Sequence, residues 1–129
     1  MKKLIKTMDG QSCEVYAISH HNRIMMGEAT PNVEVYENSV EVPTLGTNNI
    51  RFKNTYFSVA ICPNPKMNKS ITEDILEGIT SFELNMLLPR KDGVYVPFKL
   101  YGVSVAELTD EQWVFEVTDT ETVKKLLAL

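Results

Sequence analysis

Glycine and proline are scarce, 12 residues of 129 together. That excludes collagen-like and low-complexity chains, and a hydrophobic share of 43% against 23% charged residues is that of a folding chain rather than a disordered one. Long apolar runs are missing: the longest spans a handful of residues, far short of the roughly 18 to 20 that a spanning helix needs. Positive charge is also short. The formal net charge is -4 and no basic block exceeds Lys2-Lys3, which argues against a dedicated nucleic-acid surface. The opening Met1-Lys2-Lys3-Leu4-Ile5-Lys6 lacks the apolar core of a signal peptide, so the chain is expected in the cytoplasm of the cell that makes it. One domain spanning residues 1–129 is the natural organisation at this length.

Cysteine is limited to Cys13 and Cys62, and histidine to His20 and His21. A structural zinc site brings cysteines together in a close pair, whereas these stand 49 positions apart, so neither a metal nor a disulfide is expected to be needed for folding. A Cys–His nucleophile would require a histidine against Cys13 or Cys62. Cys62, followed by Pro63, reads instead as a small core residue. The single glycine of Gly46-Thr47-Asn48-Asn49 fits no phosphate-binding loop and reads as a turn. Glu34, Glu37 and Glu41 read as the solvated face of a sheet. In Arg51-Phe52-Lys53-Asn54-Thr55-Tyr56-Phe57 basic and aromatic residues interleave, but the acidic total weakens a base-stacking role and Phe52 and Phe57 are expected in the core. No catalytic, cofactor or metal residue is assigned, and the chain is read as a non-enzyme.

What the sequence does contain is alternation. Apolar residues at every second position mark strands, because successive side chains of a strand point to opposite faces. Val33, Val35 and then Val40, Val42 alternate around Tyr36-Glu37-Asn38-Ser39, so residues 32–45 read as a hairpin or a strand bent at a bulge. Residues 50–61 read as two strands with Lys53-Asn54-Thr55 between them. Phe82, Leu84 and Met86 lead to the turn signal Asp92-Gly93, after which Val94, Val96, Phe98 and Leu100 share a face. Gly102 predicts a bulge, and Trp113, Phe115 and Val117 a last strand. Leu4-Ile5 and residues 15–18 read as strands and residues 20–31 as a loop. A short helix is predicted over residues 71–78, opened by the capping box Ser70-Ile71-Thr72-Glu73, and another at the C-terminus capped by Asp119 or Thr120. The expected fold is mainly β, an antiparallel sandwich or barrel with one short central helix and a short C-terminal helix.

The run Val96-Pro97-Phe98-Lys99-Leu100-Tyr101-Gly102-Val103-Ser104-Val105, followed after a polar turn by Trp113-Val114-Phe115-Glu116-Val117, resembles the ending of phage and prophage tail-tube proteins. The resemblance covers residues 80–118. It implies a virion structural protein that self-associates into a homo-oligomer, possibly a ring, with other virion proteins as partners and with no catalytic residues. It also implies a loop that reaches the neighbouring ring, for which residues 19–32 or 63–69 could stand. A mostly antiparallel domain has edge strands that can template a neighbour, which fits such a role. The alternative is a small β-barrel module whose inward residues line a cavity for a small molecule or peptide.

Overall fold

The computed structural model describes residues 1–46, 48–62, 78–109 and 111–129. Eight strands are present, β1 (Lys2–Asp9), β2 (Ser12–Ser19), β3 (Arg23–Ala29), β4 (Pro31–Val42), β5 (Ile50–Ile61), β6 (Ile79–Pro89), β7 (Tyr95–Leu108) and β8 (Trp113–Val117), with one helix, α1 (Thr120–Leu127). All neighbours pair antiparallel in one sheet of order β1-β4-β5-β8-β7-β6-β2-β3. Among the described residues β1 and β3 do not pair, so the sheet is not closed. The fold is mainly β. The helix predicted at residues 71–78 and the candidate loop 63–69 lie outside the described residues, apart from Gly78, which is a turn.

The sheet curls so that one face encloses a core. Rings two strands apart touch: Phe57 on β5 meets Phe98 on β7 edge-on with centroids 6.5 Å apart, and Phe82 on β6 meets Phe115 on β8 at 5.3 Å. Alternation decides which side chains go in. Val33 and Val35, Phe57, Val59 and Ile61, Phe82, Leu84, Met86 and Leu88, and Trp113, Phe115 and Val117 are buried in one cluster. Trp113 is satisfied inside it, because its indole N–H donates to the Thr109 carbonyl at 3.0 Å.

Two devices produce the curl. β7 pairs with β6 through residues 95–103 and with β8 through residues 104–108. It carries an extra residue where the pairing slips between Phe82/Leu84 and their partners, next to Gly102 at φ 66°. A bulge sharpens the local bend and glycine tolerates the left-handed backbone there. At the other junction Gly10 N–H donates to the Pro31 carbonyl and Gln11 N–H to the Leu87 carbonyl, which joins β4 to β6 across the molecule.

Helix α1 begins at Asp119, whose carboxylate accepts from the Thr122 N–H at 3.0 Å as an N-cap. It buries Val123 and Leu126 against the core beside β5.

Several sequence expectations are corrected. Residues 36–39 form no turn and β4 has no bulge in its pairing with β5, which runs unbroken from Pro31 opposite Ile61 to Val42 opposite Ile50. The same register removes the turn at residues 53–55. Residues 20–31 are not a loop, since β3 occupies most of them. Its pairing with β2 absorbs an extra residue at Met26, which points inward and is buried while Met25 is exposed. Val94 lies in the turn before β7, half exposed, instead of on its inner face. Phe52, expected in the core, is 58% exposed.

Candidate interaction surfaces

The residues considered for catalysis do not assemble. Cys13 and His20 lie seven residues apart on one extended stretch of β2 and its following turn, about 23 Å at 3.3 Å per residue, so His20 does not reach Cys13. His20 and His21 are exposed at the β2–β3 turn with their rings 6.5 Å apart. Among the described residues no group of three His, Cys, Asp or Glu side chains gathers. Cys13 is buried, and burial, helped by the nearby Glu14 and Glu28 charges, pushes its thiol up to about 12. Cys62, expected to be a core residue, is exposed. With a thiol reagent at neutral pH the folded protein is therefore expected to show one reactive cysteine, with the second reacting only on unfolding. Loss of the fast phase in Cys62→Ser checks the assignment, and two fast thiols would contradict the burial of Cys13.

On the outer face of the sheet, polar side chains hold each other. Arg23 lies over the Tyr16 ring at 3.6 Å and its guanidinium meets Glu83 at 2.5 Å, which keeps the Glu83 carboxyl below its ordinary range. Around β4 and β5, Tyr36 stacks on Tyr56 at 5.5 Å, Lys2 sits over Tyr36 at 4.2 Å, and the Tyr36 hydroxyl donates to Glu34. That last bond is the main reason the Tyr36 phenol is pushed up to about 12. These contacts are those of a sheet exterior, with no nucleophile or proton shuttle among them.

Two features are not explained by such mutual satisfaction. The first is the far end of the β4–β5 hairpin. β1 pairs with β4 as far as Asn38, Met1 ahead of it exchanges backbone hydrogen bonds with Ser39, and β8 covers β5 only from Phe57 onward. Residues 40–42 and 50–56 therefore continue as a two-stranded arm with no further strand beside it among the described residues. In an unbroken strand the inward positions continue as Glu37, Ser39 and Glu41, opposite Thr55, Lys53 and Arg51. That leaves Val40 opposite Phe52 and Val42 opposite Ile50 on the outward face, all four exposed. The charged face closes on itself, Lys53 to Glu37 at 3.6 Å and Arg51 to Glu41 at 3.4 Å. The apolar face does not.

The second is a groove of about 790 Å³ beside the bend of β7. It is bounded by β7 from Pro97 to Ser104, the end of β8, and Asp119, Thr122, Lys125 and Leu129 of the helical segment. Sequence reasoning missed both. The signal for the arm was present, as a change in the parity of the valines between Val35 and Val40. The groove had none, because it depends on where β8 stops.

Among the described residues no helix is long and apolar enough to cross a membrane. No protein-family model, no curated protein and no solved structure matches the chain.

Proposed function

We propose that the chain is a non-enzymatic structural subunit of a phage or prophage tail, tail-tube-like, that acts by self-association and meets other virion proteins in the assembled particle. The β4–β5 arm carries this reading. A two-stranded ribbon with Val40, Val42, Ile50 and Phe52 in water leaves a large favourable burial unrealised, about 25 cal/mol for each Å² of apolar surface. A ribbon of two strands is also marginal alone. An apolar patch of this kind on a folded protein marks a place where another surface belongs. Among the described residues β1 and β3 have a strand on one side only, which adds unpaired backbone groups, with β1 partly blunted by Lys2, Lys3 and Lys6. On this reading the curled sheet is the sandwich-like or barrel-like body of the subunit, and the arm takes the reaching role that sequence reasoning sought in residues 19–32 or 63–69.

The alternative is a small module for a peptide or small molecule. The groove beside β7 favours it, whereas the inward positions are packed against one another in the core cluster.

Sedimentation and light scattering of the purified protein at rising concentration test the proposal, with negative-stain images at the upper end. Oligomers, rings or tubes whose size grows with concentration are expected. The double variant Val40→Lys/Phe52→Glu, which places opposite charges across one strand pair and so retains the hairpin, is expected to be monomeric with the parent's melting temperature. A parent protein that stays monomeric at every concentration overturns the reading.

A further inference from the structure

β8 has five residues and ends at Val117, opposite Phe57 on β5. Past it the chain turns into the helical segment, and among the described residues the stretch 95–103 of β7 is paired on the β6 side alone. Its other side borders the groove of about 790 Å³, which runs along β7 from Pro97 to Ser104 and across to Thr122 and Lys125 of α1.

The parity of the hydrogen bonds tells which backbone groups face that groove. The Arg90 N–H donates to the Val94 carbonyl at 2.8 Å, so Arg90 and Val94 form the first bonded rung of the β6–β7 hairpin. Bonded and unbonded rungs alternate in an antiparallel ladder. Val96, Phe98 and Leu100 therefore bond to β6, while Tyr95, Pro97 and Lys99 turn their backbone groups the other way. Two further facts agree. Leu87, opposite Pro97, gives its carbonyl to the Gln11 N–H on the β2 side, and both prolines of the hairpin, Pro89 and Pro97, stand on rungs that need no N–H toward the partner strand. Within the groove the row offers the Pro97 carbonyl and then, about 7 Å on, the N–H and carbonyl of Lys99. The bulge beside Gly102 ends it. An edge this short, with one donor missing, suits a short guest strand rather than open-ended stacking.

We infer that this edge receives an extended segment of a different protein by strand addition, with an acidic residue opposite Lys99 and apolar residues two positions to either side. This goes beyond self-association, which runs through the arm, and stands without it.

The backbone row selects the kind of occupant. A helix or a folded surface has its own N–H and C=O groups already paired, whereas an extended chain supplies donors and acceptors at a two-residue repeat. The outer side chains select its sequence. Residues opposite each other in an antiparallel pair point to the same face, so the central guest residue stands beside Lys99, which is exposed and makes no ion pair among the described residues. Its second neighbours stand beside Pro97 and Tyr101, the latter 68% exposed. Opposite charge at the centre and apolar contact at the flanks are the stabilising cross-strand pairs. The other charges of the groove lie off this row. Asp119 is engaged as the cap of α1 with the Lys125 charge acting on it, and Glu116 is on β8 opposite Ser104.

The capped peptide Thr-Val-Thr-Glu-Thr-Val-Thr, titrated to millimolar concentration into isotope-labelled protein, tests this through amide shifts. Shifts along residues 95–101 and 118–125 are expected, with slower exchange of the Lys99 amide. Replacing the central glutamate by lysine should weaken binding about threefold, and Lys99→Glu should reverse the order of the two peptides. N-methylation of the central residue, whose N–H meets the Lys99 carbonyl, should weaken binding at least about tenfold. N-methylation of the next residue, whose N–H points away from β7, should be tolerated.

No shift in the groove, shifts at the arm or at β1 and β3 instead, or equal effects of the two methyl groups would each overturn the inference. Should Lys99→Glu melt early, the methylated pair on the parent protein still decides. If Lys99→Glu folds but no longer self-associates, the occupant is a second copy, and the assignment to a different protein falls while self-association stands. A parent that binds the glutamate peptide yet stays monomeric at every concentration supports this inference and overturns self-association.

Discussion

Replacing Phe115 by alanine is expected to lower the unfolding free energy by about 3–5 kcal/mol, the range for a fully buried phenylalanine. Phe115 is completely inaccessible, it is the middle residue of the shortest strand, and its ring meets Phe82 across the interior at 5.3 Å. The deletion removes both the transfer term and the edge-to-face contact. It also opens a cavity between β6 and β8, where the curled sheet has little freedom to collapse. Glu116, the next residue, is exposed, and Glu116→Ala should stay within about 0.5 kcal/mol of the parent. Urea unfolding of the two variants reads the register of β8 directly. A strand slipped by one residue would invert the pair, making Phe115→Ala mild and Glu116→Ala costly.

The C-terminal half was legible because its local and global signals agree. Phe82 to Leu88, Phe98 with Leu100, and Trp113 to Val117 keep one parity over each strand, and the Asp92-Gly93 turn sits where the alternation breaks. The Gly102 bulge was legible for the same reason, since parity changes between Leu100 and Val103, which are both buried. The C-terminal helix was legible from its cap, Asp119 or Thr120, and from the helical spacing of Val123, Leu126 and Leu127; Asp119 takes the cap and Val123 and Leu126 are buried.

The β4–β5 hairpin misled for an instructive reason. Val33 and Val35 stand at odd positions and Val40 and Val42 at even ones, and a change of parity normally means a turn or a bulge, because apolar residues are assumed to point inward. The strand keeps its register with β5 instead and lets the second pair point out. Period-two reasoning locates a face, but whether that face meets a core depends on how far the neighbouring strands extend. β1 and β8 stop before the arm does. The misplacement of Phe52 in the core has the same origin, and Phe57, five residues on, takes the buried position because β8 covers it. β3 was missed because the bulge at Met26 and the glycine at 27 break its alternation within seven residues.

Gly10 belongs to no motif in the sequence, yet the fold leaves no room for a side chain there. A β-carbon on Gly10 would lie 2.4 Å from Pro31 Cγ, 3.0 Å from its Cδ and 3.1 Å from Leu88 Cδ2. The proline ring cannot rotate away, and Pro31 is held in turn by the bond from the Gly10 N–H to its carbonyl. Gly10→Ala is therefore expected to destabilise by about 1–3 kcal/mol through overpacking, and Gly10→Val by more.

Gly10 and Gln11 tie β4 to β6, so the strain should be felt as loosening between the two ends of the curled sheet. Hydrogen exchange in Gly10→Ala should accelerate at the Gly10 and Gln11 amides more than within the β4–β5 pairing. Substituting alanine at Gly93, where nothing lies within 4 Å of an added carbon but φ is +84°, separates the two causes of glycine dependence. That change costs backbone strain alone and should leave exchange at the β4–β6 junction as it was. A Gly10→Ala protein as stable as its parent would mean that Pro31 and Leu88 can move apart, and that the junction is not what sets the curl of the sheet.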